Sequence, residues 1–516
     1  MPRADAYDQF RRHISEIHDL EQISGLLGWD QQTMMPPRGA EVRAEQIGTM
    51  TRLTHERMVA DDTRRLLDDA QEAVAGLSAE SDEASLVRVA RRDIEKVRRV
   101  PTDLAVEMAT ASARAFPAWV EAKKRSDFDQ FLPHLQRAIE LRRRYAACFD
   151  DVAVPYDALL DDFEPGMTTA EVAALFTDLK AGLVPLVAWV RERAGAVDDA
   201  PVWGVFPVED QRRLAIEVIT KFGYSPDAWR VDPAAHPFAS SMAIGDIRLT
   251  TRFDERHLNQ GLFATMHECG HGLYEHGVDP ALERTPLARG ASLGLHESQS
   301  RTWENLVRRG RPFWHHVFPL LRERFPEQFA GVDEERVYRA VNKMAPSLIR
   351  VEADEATYNL HIIMRFELEQ ALLDGSLSPL DLPEAWRARM AEDIGIDVPD
   401  HARGVLQDVH WADGLFGYFP TYALGSMMAA QLYERAMSDL PDLADRFAAG
   451  DFSTFREWHR ERIHRHGRKF TAPQIMMRAV GQGLDAAPLL RYLRVKITDL
   501  YGEPPVGAAD AIQPRA

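Results

Sequence analysis

From Ala6 to Leu27 apolar residues recur every three or four positions (Phe10, Ile14, Ile17, Leu20, Ile23, Leu27), the spacing of one face of an α-helix. The pattern predicts a break at Leu27-Gly28-Trp29-Asp30 and Met34-Met35-Pro36-Pro37-Arg38-Gly39, then a second helix through Arg43 and Ile47. Charged amphipathic helices follow to about Phe149, for example over 84–100 and 103–124. The Pro and Asp residues of 150–167 suggest a loop holding one short helix. Thr168 or Thr169 is placed to cap a helix over 170–194, which Pro185 should kink. Pro207 stands where proline is tolerated, at the start of a helix over 208–222.

The texture changes near Asp232. Residues 240–253 alternate, with Gly245-Asp246 as a turn between two short antiparallel strands, Met242-Ala243-Ile244 and Ile247-Arg248-Leu249-Thr250-Thr251. An edge strand there could accept an extended peptide as one more strand. From Leu258 to Leu500 the helical period returns. The reading is therefore mainly α, a single large helical domain over 1–505 with a small antiparallel β element. A flexible tail is expected over 506–516.

Inside the helix after that β element stands Met266-His267-Glu268-Cys269-Gly270-His271, an H-E-x-x-H pattern. Histidines four residues apart share one helical face, so two imidazoles can grip one metal ion. Glu268 sits beside that face, placed to take a proton from a water at the ion. Leu262, Met266 and Leu273, with Phe263, Gly270 and Tyr274, form the apolar stripe, and His276-Gly277 is the expected stop. Cys269, two residues from each histidine, points off their face and reads as packing. A catalytic metal of this kind takes a third protein ligand. Glu297, in His296-Glu297-Ser298-Gln299-Ser300-Arg301, is the first candidate, and Glu304, two turns on, the second.

Composition narrows the partners. The net charge of −18 disfavours nonspecific binding to nucleic acid or anionic lipid. One stretch runs against it: Arg456 to Lys469 carries Arg460, Arg462, Arg465 and Arg468 among His459, His464 and His466. Glu457 and Glu461 are interleaved at helical spacing, which favours a solvated face or a cleft wall. The best apolar run, 181–190, is too short to span a bilayer. Two cysteines, Cys148 and Cys269, and no apparent signal peptide point to a reducing compartment, the cytoplasm.

The chain resembles the carboxypeptidase Taq family of metallocarboxypeptidases over nearly its whole length. The residues that carry the likeness are Leu27-Gly28-Trp29-Asp30 with Met35-Pro36, His236-Pro237-Phe238, Asp246-Ile247-Arg248-Leu249-Thr250, the two histidine motifs above, Ile349-Arg350-Val351-Glu352-Ala353-Asp354, Gly404 to Trp411, and Phe416 to Tyr422. The resemblance implies an all-helical fold with a deep central groove. It also implies His267, His271 and Glu297 as ligands to one divalent ion, zinc first and cobalt second, Glu268 as general base, and a cytoplasmic homodimer.

Release of a C-terminal residue requires recognition of a free carboxylate, which a guanidinium fork pairs well. Arg350 is the candidate, with Arg248 on the cleft strand as the alternative. An oxyanion needs a donor besides the metal. Related helical zinc peptidases use a tyrosine and a histidine, which favours Tyr418 with His410 and keeps Tyr422 beside them. Asp408 and Asp354 are expected to orient histidines, and His236 to line the cleft. The expected activity is broad-specificity, metal-dependent release of single C-terminal residues from peptides. An endo-acting oligopeptidase, a noncatalytic metal or peptide binder, and a nucleic-acid binder using 456–469 are the rivals.

Overall fold

A computed structural model describes residues 3–504, so the tail expected over 506–516 lies outside the described residues. Helix α1 (Arg3–Thr33) runs straight through Gly28, where a break was expected. A lone interior glycine costs a helix only about 1 kcal/mol, and the next residue holds the helix in place. Trp29 is buried, with the guanidinium groups of Arg230 and Arg248 4.8 and 4.5 Å from its ring centre. The helix stops instead ahead of Pro36 and Pro37, because proline disfavours helical backbone in the residue before it. Helix α2 (Ala40–Val59) then folds back on α1 and buries none of its residues. Arg43 of α2 ties the pair together through Asp30, at 2.8 Å.

Phe10, Ile14 and Ile17 of α1 pack with Leu67, Leu86, Ala90 and Ile94 into a small core of their own. The other helices enclose a much larger one. Helix α3 (Thr169–Arg191) belongs to that core, burying Leu179, Leu183, Leu186 and Val187. The Thr168 hydroxyl accepts from the Glu171 N–H, and the Glu171 carboxylate accepts from the Thr168 N–H. The helix continues through Pro185. By length and composition α3 could cross a bilayer; here it is a core helix.

The β element has three strands, β1 (Trp229–Pro233), β2 (Ala239–Ala243) and β3 (Asp246–Thr251), in the order β1-β3-β2. The β2–β3 hairpin is antiparallel, as its alternation predicts, and turns at Ile244-Gly245. Strand β1 was not expected. It pairs parallel to β3, from Trp229 opposite Ile247 to Pro233 opposite Thr251, so the sheet is mixed. Five residues holding Arg230, Asp232 and a terminal proline are too short and polar to announce a strand. Strand β3 packs on helix α4 (Leu258–His276), which stops at Gly277 as expected. Helices α5 (Leu293–Arg301), α6 (Thr357–Asp374), α7 (Pro420–Asp439) and α8 (Ser453–Arg462) complete the frame of the site.

Candidate metal and substrate site

Helix α4 presents His267 and His271 one turn apart, and α5 crosses it carrying Glu297. Two glycines allow that crossing to be close. A Cβ at Gly270, between the two histidines, would lie 2.6 Å from the backbone of Gln299 and Ser300. One at Gly425 of α7 would lie 2.7 Å from the Glu297 side chain. The Nε2 atoms of His267 and His271 are each 3.5 Å from Oε2 of Glu297. Tetrahedral ligands about 2.0–2.1 Å from zinc stand roughly 3.4 Å apart, so this trio fits a divalent ion. All three ligating atoms lie within 4.8 Å of one another.

The remaining atoms of the trio are engaged. Nδ1 of His267 meets Oε2 of Glu304 at 2.9 Å. Nδ1 of His271 meets Nδ1 of His296 at 2.6 Å, and Nε2 of His296 meets Oε1 of Glu275 at 2.7 Å. Arg301 donates to Oε1 of Glu297 at 2.7 Å and to Glu304 at 3.1 Å. With each Nδ1 occupied, the Nε2 lone pairs are the free ones, and they face Glu297. Burial works against a charged His267, but Glu297 and Glu304 outweigh it and raise its pKa to about 9. A cation is thus favoured here by the surrounding carboxylates. Glu268 is 6 % exposed, and burial, with His267 opposing and Glu297 adding, pushes it up to about 7.

On the other side of Arg301 lies Tyr358 of α6. Its ring centre is 4.4 Å from the Arg301 guanidinium, and its hydroxyl accepts from Arg350 at 3.0 Å. Arg350 is 6 % exposed and donates from Nε and one amino group to Oδ1 of Asp408, at 2.9 and 2.8 Å. Arg365, also buried, takes Oδ2 of the same carboxylate at 2.6 Å. Burial opposes ionisation of Asp408, but Arg365 and Arg350 hold it far below the usual carboxylate range. Nε2 of His410 meets the Tyr422 hydroxyl at 3.2 Å, and the Tyr418 and Tyr422 rings stand edge to face with centres 5.4 Å apart. Burial lowers His410 to about 4, so its imidazole is neutral at pH 7. A cleft of about 740 Å³ lies behind His296 and Glu275, lined also by Ile14, His18, Phe163, Arg289 and Ser292; His267, His271, Glu297 and Arg350 are not among its lining residues.

Comparison with known proteins agrees with this geometry. The family model described as carboxypeptidase Taq (M32) metallopeptidase matches residues 9–497. The chain belongs to that family. Thermostable carboxypeptidase 1 of Thermus thermophilus is 44% identical, covering 96% of this chain and 99% of its own length. Carboxypeptidase 1 of Bacillus subtilis is 38% identical over 95% of this chain and 97% of its own. The crystal structure of M32 carboxypeptidase from Deinococcus radiodurans R1 superimposes with a TM-score of 0.94, at 42% identity, covering 96% and 100% of the two chains. The protein is a metallocarboxypeptidase, a hydrolase of peptides.

Within this M32 chain the motifs converge, though some roles read from sequence change. Glu304 does not join the metal trio; it binds the far nitrogen of His267. It stands in a π-helical turn, Thr302–Val307, that follows α5 and shifts its register. Arg248 faces the sheet rather than standing free: Asp246 takes it at two 2.9 Å hydrogen bonds and Trp29 stacks on it. Asp408 and Asp354 orient no histidine. Asp408 bridges two arginines, and Asp354 accepts from the Ala356 and Thr357 N–H groups at the start of α6. His236 is exposed ahead of β2. Cys269 is fully buried, as its position off the histidine face implied. The cations of 456–469 are matched by carboxylates: Arg460 by Glu461, Arg462 by Asp439, Arg465 by Glu461, Arg468 by Asp93 and Lys469 by Asp82.

Sequence reasoning missed Glu275, His296, Arg301, Tyr358 and Arg365. Three carried a local signal. Glu275 follows His271, and Arg301 follows Glu297, at the helical spacing of four, and His296 directly precedes Glu297. Tyr358 and Arg365 reach the site only because α6 packs beside it, which spacing along the chain does not encode.

Proposed function

We propose that His267, His271 and Glu297 hold the divalent ion, with Glu268 as general base and Arg350 as the group that reads the terminal carboxylate. The observation that carries this is the pair of charge imbalances on either side of Tyr358. One side gathers Glu297, Glu304 and Glu268 around two imidazoles and asks for a cation. The other gives two buried guanidinium groups a single carboxylate, Asp408, and so has room for a second anion.

The ion, when bound, supplies Lewis acidity: it polarises the scissile carbonyl and lowers the pKa of a water. Glu268 takes the proton of that water and passes it to the leaving amine. Glu304 and His296 keep the two ligand imidazoles in one tautomer and orientation. Tyr418 and Tyr422, linked to His410, donate to the carbonyl oxygen as charge develops on it. Arg350 fixes register, so that one residue leaves per turnover. Arg248 and His236 act on the substrate side, Arg248 by shaping the β3 face of the cleft and His236 by lining its rim. The ion is zinc, with cobalt accepted by the same His-His-carboxylate set. Substrates are flexible peptides with a free C-terminus and varied last residues. A cytoplasmic homodimer is the working form, a reading supported by the family likeness and by two unbridged cysteines. Nucleic acid and membrane are not partners, in keeping with the −18 charge and the paired cations of 456–469.

The test is product analysis by mass spectrometry on a peptide and its C-terminally amidated twin, with and without chelator. Stepwise shortening of the free peptide alone, stopped by chelator, is expected. Internal cuts in both peptides would replace the carboxylate-reading role of Arg350 with an oligopeptidase mechanism.

A further inference from the structure

The hydrolytic reaction leaves His459 and His464 unused, yet both are buried, with Trp458 and Ile463, on the inner side of a stretch whose arginines are partly or fully exposed. Both converge on one atom. Nδ1 of His459 and Nε2 of His464 lie 2.8 and 2.9 Å from Oε1 of Gln299 on α5. The hydrogen-bond directions are determined by the neighbouring hydroxyl. Ser298 gives its single proton to the Leu295 carbonyl at 2.6 Å, so toward Gln299 it accepts, from Nε2 at 2.9 Å. That leaves Oε1 as acceptor for two imidazole N–H donors. Burial lowers the pKa of both histidines, so both stay neutral donors.

Gln299 follows Glu297 by two residues, about 200° around the helix, so it grips α5 on the side away from the metal trio. Helix α5 needs such a grip. It is nine residues long and runs into the π-helical turn, where the hydrogen-bond register slips from four residues to five. A rotation of about 20° would carry a side chain some 6 Å from the axis by about 2 Å, against a tolerance near 0.2 Å for a metal ligand. Tyr274 of α4 packs between the rings of His464 and His296, each 5.2 Å away, so the same anchor reaches the helix that carries the two histidine ligands.

We infer that His459 and His464 are positioning residues which, through Gln299, fix the rotation of α5 and thereby set the metal affinity of the site. This rests on the reading of Glu297 as a ligand. The experiment is chelator competition for zinc on the full chain, with the cobalt-loaded absorption spectrum as a second readout. Gln299→Met, His459→Phe and His464→Phe should each raise the zinc dissociation constant about tenfold or more and broaden the cobalt bands. The phenylalanine double variant should lose little beyond Gln299→Met, since all act through one acceptor. His459→Asn and His464→Gln, which restore an N–H at the Nδ1 and Nε2 positions, should regain most of the affinity. Unchanged dissociation constants and spectra in these variants, with or without a lower Tm, would overturn the inference. So would equal losses in the phenylalanine and amide variants. Glu297→Ala is the control: if that variant binds zinc as the parent does, the ligand reading itself fails.

Discussion

Glu268 stands in sequence between His267 and a buried thiol, and no hydrogen bond or ion pair holds its carboxylate among the described residues. Arg301 is committed to Glu297, and Glu304 to His267, which is the arrangement the proposed base requires. Glu268→Gln keeps shape and burial but removes the base. Bound zinc, measured by elemental analysis, should stay at the parental level while kcat falls roughly 100- to 10,000-fold. Full activity in this variant would remove Glu268 from the reaction. Arg350 is the second informative residue. Arg350→Met should raise KM for free peptides, leave kcat less affected, and erase the difference between free and amidated substrates. A preserved difference would hand carboxylate recognition to another group.

At the scale of elements, the close approach of α4, α5 and α7 is decided by two residues without side chains. Gly270→Ala and Gly425→Ala would each push a methyl group into backbone or into Glu297 within 2.7 Å. Overpacking of this kind typically costs about 1–3 kcal/mol. Both variants should lower the Tm and weaken metal binding together, read by calorimetry and chelator competition. A methyl accommodated at Gly270 with parental metal affinity would show that the crossing has slack. The H-E-x-x-H helix, its stop at Gly277 and the helix over 208–222 were legible in sequence because period and caps are local signals. Strand β1 and the π-helical turn were not. Each depends on a neighbour distant in sequence, β3 for the strand and α4 with α7 for the turn. The run of α1 through Gly28 is the same lesson, since Trp29 is held by two arginines more than two hundred positions away.

Over the whole molecule, buried titratable groups set the response to pH. Burial lowers His18 and His410 to about 4 and His361 and His459 to about 3, and holds His464 well below its ordinary value. For a histidine held neutral in the folded state, the unfolded chain binds the extra proton once pH falls below about 6.5. Its contribution to stability is therefore lost between pH 6.5 and its folded pKa, at about 1.4 kcal/mol per pH unit. Glu164, raised by burial to about 8, and Glu369, raised to about 7, work in the opposite sense over this window. The five histidines outnumber them. Urea melts should show stability falling steadily from pH 6.5 toward pH 4.5. A flat profile there would mean that these histidines are hydrated rather than buried.

Sequence alone determined the helical class and the H-E-x-x-H helix, because each rests on spacing within one element; it made His267 and His271 candidate ligands by the same spacing, and Glu297 the third through the family resemblance. It also made Arg350 the candidate reader of the carboxylate, through its motif. Only the tertiary structure decided which groups stand behind these residues. Glu304 moves from ligand to partner of His267, Asp408 from orienting a histidine to bridging two arginines, and Arg248 from the open cleft to Asp246 and Trp29. Charged side chains choose partners by distance in space, and burial multiplies what each choice is worth. Neither quantity exists along the chain until α4, α5, α6 and the sheet have packed.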